Sequence, residues 1–197
     1  MIKAIIFDYN GVLTVPGEFN GFLAQEARHR NCDLAEIKKI VRHHWDLARV
    51  GAIKSELLWI SAAQYFHCNP QELRQAWLAW FTLRPDLLLS IKKLKIKYQT
   101  VLLTNMIQDW FEQIKQEQHL NDYFHHLIAS YEAQAAKPDI KIFNYTLLKL
   151  GLTPEECIFI DDQEKNTVAA ARLGFKTILF SSTENLILQL AEHGVTI

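Results

Sequence analysis

Ala4-Ile5-Ile6-Phe7-Asp8-Tyr9-Asn10-Gly11-Val12-Leu13-Thr14 begins as an unbroken apolar run and ends on a carboxylate and a glycine turn. A run without polar alternation fits a strand buried on both faces, as in a parallel sheet covered by helices. Four more runs have this character: Thr100 to Leu103, Leu127 to Ser130, Cys157 to Ile160 and Thr177 to Phe180. Helical patterns lie among them. Leu87, Leu88, Ile91 and Leu94 form one apolar stripe, and Ile140, Phe143, Leu147 and Leu150 another. The alternation predicts an α/β fold with a doubly wound parallel sheet, its crossovers right-handed and its helices on both faces. Gly151 and Gly174 stand where helices should end, and Thr153-Pro154-Glu155-Glu156 has the form of a capping box with proline at the first helical position.

The stretch from Pro16 to Arg84 reads differently. It contains no convincing strand, and Asp33-Leu34-Ala35-Glu36 and Asn69-Pro70-Gln71-Glu72 are internal helix starts. We therefore expect residues 1–15 and 85–197 to form the core and residues 16–84 an all-helical insertion. Four of the five tryptophans, Trp45, Trp59, Trp77 and Trp80, fall inside it and are expected to make its apolar core.

With 197 residues, 49% hydrophobic and 22% charged, the chain suits one core plus an accessory lobe, not a disordered polymer. A net charge of -1 with interspersed signs points away from nucleic-acid and membrane surfaces and toward a small-molecule partner. The three cysteines, Cys32, Cys68 and Cys157, show no Cys-x-x-Cys spacing and are expected to be unpaired thiols in a reducing compartment. The first apolar run is too short for a signal peptide or membrane span, which makes the cytoplasm the expected location. Oligomeric state has no signature in this sequence.

Ligands of open parallel sheets bind beyond the carboxyl ends of the strands. Asp8-Tyr9-Asn10-Gly11 follows the first run, Thr104-Asn105 the second and Asp161-Asp162 the fourth. Carboxylates, a hydroxyl and an amide thus converge on one edge. An aspartate there can attack phosphorus and form an aspartyl-phosphate. Two anions must then approach each other, which calls for a cation; magnesium prefers such oxygen ligands. Lys137, in Ala135-Ala136-Lys137-Pro138-Asp139, is the candidate for fixed positive charge on the phosphoryl oxygens, with Pro138 expected to start the next helix.

At these residues the chain resembles the haloacid dehalogenase superfamily, and within it the glucose-1-phosphatase-like and epoxide-hydrolase N-terminal phosphatase-like members. Asp8 to Thr14, Thr104-Asn105, Lys137-Pro138 and Ile158 to Asn166 resemble its four motifs in order and spacing. The resemblance implies a Rossmann-like core with a helical cap that closes over the site, and a magnesium-dependent hydrolase acting on a small phosphorylated substrate. It further implies Asp8 as nucleophile and metal ligand, the Asn10 carbonyl and Asp162 as further metal ligands, Thr104, Asn105 and Lys137 as phosphoryl-binding groups, Asp161 beside the metal-bound water, and Asn166 as a supporting amide.

Phosphatases of that family usually carry a second aspartate where this chain has Asn10, and an amide cannot serve as general acid and base. Four readings follow: a phosphatase with another proton source, a binding or regulatory protein with impaired turnover, a substitution introduced to trap the bound state, or a metal-independent dehalogenase, whose aspartate attacks carbon. The Asp161-Asp162 pair favours phosphoryl chemistry with a metal. His43-His44 is not expected to ligate a metal, since adjacent residues point about 100° apart on a helix. Lys92, Lys93, Lys95 and Lys97 read as the wet face of a helix, and His125-His126 carries no assignment.

Overall fold

The computed structural model describes residues 1–16 and 19–197; Gly17 and Glu18, inside the stretch expected to be helical, lie outside the described residues. In chain order the elements are β1 (Ala4–Phe7), β2 (Thr14–Val15), α1 (Phe19–His29), α2 (Leu34–Ala48), α3 (Glu56–Phe66), α4 (Pro70–Trp80), β3 (Thr82–Leu83), α5 (Pro85–Leu94), β4 (Gln99–Thr104), α6 (Gln108–Glu117), β5 (His126–Ala129), α7 (Ser130–Ala133), α8 (Ile140–Leu150), β6 (Cys157–Asp161), α9 (Glu164–Arg172), β7 (Lys176–Leu179) and α10 (Thr183–Glu192).

Five strands form one sheet in the order β5-β4-β1-β6-β7. Every pairing in it is parallel, with Ala4 opposite Gln99 on one side and Cys157 on the other. The two-residue period of a strand divides the core between the faces. Ile5 and Phe7 pack with Leu102, Ile158 and Ile160 on one face, and Ala4 and Ile6 with Val101, Leu103 and Phe159 on the other. Both faces are covered, which is why the strands read as continuous apolar runs.

The expected helix starts hold. The Asp33 carboxylate accepts from the N–H groups of Ala35 and Glu36, and the Asn69 side chain from those of Gln71 and Glu72. Thr153-Pro154-Glu155-Glu156 forms the expected capping box with Pro154 in the first turn, here a single 3-10 turn before β6, with the Thr153 N–H donating to Glu156 Oε2. Two local features differ from expectation. The helix after Lys137 starts at Ile140, capped by Asp139, so Pro138 precedes the cap. The inserted stretch is not wholly helical, because Thr82–Leu83 pairs antiparallel with Thr14–Val15. The Arg84 N–H also donates to the Leu13 carbonyl at 2.8 Å, so the chain leaves and rejoins the core side by side.

The inserted helices share an apolar core with one face of the sheet. Trp77 of α4 meets Trp110 of α6 at 5.3 Å between ring centroids, and Trp110 also packs edge-on against Tyr9 at 6.3 Å. Beside this cluster, Trp59 Nε1 donates to Asp109 Oδ2 at 2.9 Å and Arg74 Nε lies 3.1 Å from the same oxygen. The tryptophans therefore build the seam as well as the interior of the lobe. No helix of the described residues is long and apolar enough to cross a membrane. Cys32, Cys68 and Cys157 are free thiols.

Candidate active site

Strands β4, β1 and β6 are adjacent, so their carboxyl ends bring Thr104, Asp8 and Asp161 to one edge of the sheet. Asp8 follows β1 directly and its N–H donates to the Ile160 carbonyl at 2.9 Å, which fixes its backbone. Its Oδ1 accepts from the Tyr9 N–H at 2.7 Å and lies 2.8 Å from Lys137 Nζ. The same ammonium donates to Asp161 Oδ2 at 2.7 Å. Lys137 is 2% exposed and bridges two buried carboxylates.

Each partner is itself held. Asn105 donates through Nδ2 to the Lys137 carbonyl and accepts through Oδ1 from the Lys137 N–H, both at 2.8 Å. Asn105 thus grips the main chain of the lysine, a positioning contact that the motif alone does not disclose. Asn166 Nδ2 donates to both oxygens of Asp161 at 3.0 Å, and the Gln163 N–H donates to Asp161 Oδ1 at 2.8 Å.

Ligand oxygens of Asp8, Asp161 and Asp162 lie within 4.8 Å of one another, the one such acidic, histidine or cysteine grouping found among the described residues. His43 and His44 pack ring against ring, with His44 tied to Ile40 and Ser61. Asp162 approaches across Gly11, whose φ is +83° and where a Cβ would meet Asp162 Oδ2 at 2.3 Å. The glycine in Asn10-Gly11 is therefore needed for both its turn and its missing side chain.

Burial pushes the Asp8 carboxyl up to about 8; Lys137 opposes the shift and Asp161 adds to it. Burial alone would lower the Lys137 ammonium, but Asp161 and Asp8 outweigh it and hold it above the usual lysine value. Asp8, Asp161 and Asp162 make an acidic cluster whose fully ionised form a cation would stabilise.

The site opens into a cavity of about 700 Å³. Asp8, Asn10, Thr104, Asn105, Asp162 and Asn166 line its floor. Asn10 Oδ1 is shielded there without a hydrogen-bond partner. Lys38, Arg42, Trp45 and Asp46 of α2, with Arg49 at its C-terminal cap, form a second wall, and Lys165 lines the cavity from α9 beside Asn166. Sequence reasoning missed this wall. Its signal was present, since at about 100° per residue positions 38, 42, 45 and 49 fall on one stripe, beside the buried stripe of Ile37, Val41 and Ala48.

A Rossmann-like α/β core with helices inserted after its first strand defines the class. Among solved structures of this class, a haloacid dehalogenase family enzyme of Bacteroides thetaiotaomicron has a TM-score of 0.83 and 22% identity, covering 96% of this chain and 98% of that one. The same enzyme has been solved with magnesium and inorganic phosphate, at a TM-score of 0.80. L-2-haloacid dehalogenase of Xanthobacter autotrophicus shares the fold at a TM-score of 0.66 and 19% identity, covering 100% of this chain and 85% of that one. The model of the haloacid dehalogenase-like hydrolases matches residues 2–174, and the chain belongs to that family.

Curated relatives of the chain include phosphatases. D-ribitol-5-phosphate phosphatase of Bacteroides thetaiotaomicron is 32% identical over 117 residues, 54% of this chain and 55% of that enzyme, so the match spans about half of it. Glyceraldehyde 3-phosphate phosphatase of Methanopyrus kandleri is 27% identical over 90% of this chain and 83% of that enzyme.

Proposed function

We propose that this chain is a magnesium-dependent phosphatase that hydrolyses a small phosphate monoester through an aspartyl-phosphate on Asp8. The observation that carries this reading is the Asp8-Lys137-Asp161 bridge with Asp162 beside it, at the edge where three central strands end. The cation fits the donor set, because the grouped ligands are all carboxylate oxygens. Asp8, Asp162 and the Asn10 carbonyl would hold it, and it would supply positive charge between nucleophile and phosphate.

Asp8 then attacks phosphorus, forming one P–O bond as the ester P–O bond breaks. The leaving oxygen takes a proton from water. Water next attacks the aspartyl-phosphate, releasing inorganic phosphate and restoring the carboxylate. Lys137 neutralises charge on the nucleophile, Thr104 binds the phosphoryl group and Asn105 keeps Lys137 in place. Residues 16–84 serve as the cap, and their helix α2 supplies part of the cavity wall.

Hydrolysis of a panel of phosphate esters and a 2-haloacid, with and without magnesium, tests this reading. Magnesium-dependent release of phosphate is expected. Metal-independent release of halide would assign the chain to the dehalogenase side of the family.

Two variants follow from the geometry. Gly11→Ala places a methyl group on the Asp162 carboxylate and is expected to weaken magnesium binding by about 10–100-fold, the usual effect of displacing a ligand's support. A magnesium titration with no resolvable shift would remove Asp162 from the cation site. Asn10→Asp supplies a proton carrier on the cavity floor and is expected to raise turnover of esters with poor leaving groups about tenfold, a conservative part of the acid-base contribution. Activated esters should gain less. An unchanged rate on poor leaving groups would mean that another group already moves the proton.

A further inference from the structure

We propose that the substrate carries a second anionic group, a carboxylate or a second phosphoryl group, held by the α2 wall of the cavity. This rests on the phosphatase reading and adds the substrate class.

The wall is cationic and the floor acidic. Lys38 and Arg42 of α2 and Arg49 at its C-terminal cap line the cavity with one carboxylate, Asp46, among them, and Lys165 of α9 lines it from the core. Asp46 does not neutralise them all: Arg49 Nη2 pairs with it at 2.8 Å, and Arg42 Nε lies 3.8 Å away. The guanidinium groups of Arg42 and Arg49 line a polar cavity, and such planar donors suit a carboxylate or phosphoryl oxygen.

Arg49 is also anchored. Ser130 Oγ, buried at the start of α7, donates to the Arg49 carbonyl at 2.5 Å and accepts from the Met106 N–H at 3.1 Å. The cationic end of α2 is therefore tied to the core strands that carry the floor. Phosphate alone would leave most of the roughly 700 Å³ unfilled. A small molecule with anions at both ends would span floor to wall, and its second anion would offset charges that otherwise repel one another.

The test compares matched compounds in magnesium buffer: 3-phosphoglycerate against glycerol 3-phosphate for the carboxylate, and 1,3-propanediol bisphosphate against its monophosphate for the second phosphoryl. The wild type is expected to prefer at least one doubly anionic member by about tenfold or more in kcat/KM, chiefly through KM. Lys38→Gln with Arg49→Gln should bring that ratio close to one. The Arg49 main-chain bond to Ser130 survives this change, and Lys38→Gln or Arg42→Gln alone should reduce the ratio partway. The preferred pair identifies the second anion as carboxylate or phosphoryl. Equal kcat/KM within both pairs would overturn the proposal and leave the phosphatase reading standing. If no ester is hydrolysed, that reading falls, and calorimetric binding of the same compounds to the wild type decides the proposal: tighter binding of a doubly anionic member, lost in the double variant, sustains it, and equal binding defeats it.

Discussion

Asp8→Asn is expected to lower steady-state hydrolysis by about 10⁴-fold or more, the scale on which loss of a nucleophile acts in other hydrolases. The change is nearly isosteric, so the amide oxygen can still accept from the Tyr9 N–H, and Lys137 keeps its bond to Asp161. Folding should survive. Burial pushes the native carboxyl up to about 8, which marks its charge as a burden in the cation-free protein. The variant should therefore denature no earlier than wild type at neutral pH without magnesium. The loss should be the same for good and poor leaving groups, since the attacking atom is gone in both. Turnover within tenfold of wild type would place the nucleophile elsewhere.

Lys137→Met carries the second large effect, and it has two components. Removing a fixed charge from the phosphoryl site should lower kcat/KM by about 10²–10³-fold. Stability should fall too, because two carboxylates lose the ammonium that bridges them, a loss of about 3 kcal/mol for a broken buried pair. The direction with pH follows from Asp8. A carboxyl whose folded value is raised stabilises the fold below its unfolded value of 3.8 and loses that contribution as pH rises to about 8. Lys137 opposes the rise, so without it Asp8 holds its proton to still higher pH. The deficit of the variant against wild type should therefore be larger at pH 9 than at pH 6. Urea unfolding in chelator at both values measures it, and an equal deficit would show that Asp8 and Lys137 are not coupled.

The sheet was legible because its strands are covered on both faces, so burial is written into the residues as uninterrupted apolar runs. The limits moved by a residue or so: Ser130 starts α7 where it was expected to end a strand, and β7 stops at Leu179. Capping residues Asp33 and Asn69 could be read because one side chain meets two local N–H groups. Pairing of Thr14–Val15 with Thr82–Leu83 could not, since two-residue strands have no period to detect. At the site, residue types at the strand ends identified the floor, but the grip of Asn105 on Lys137 depends on the fold. The cationic wall was hidden for another reason. A charged stripe on a helix looks like a solvated face until the opposing surface is known.

The ribbon of β2 and β3 brings both chain connections of the inserted lobe to one place. Where the Arg84 N–H meets the Leu13 carbonyl, the two ends of the core are already joined by a hydrogen bond. A short turn could bridge them without moving any strand of the main sheet, so the backbone imposes little constraint on the length or sequence of what is inserted there. The surface imposes more. Trp110 and Tyr9 belong to the core yet are buried against the lobe, and any replacement must bring its own apolar patch to cover them. Exchange of lobes between related chains is thus free at the level of connectivity and selective at the level of packing.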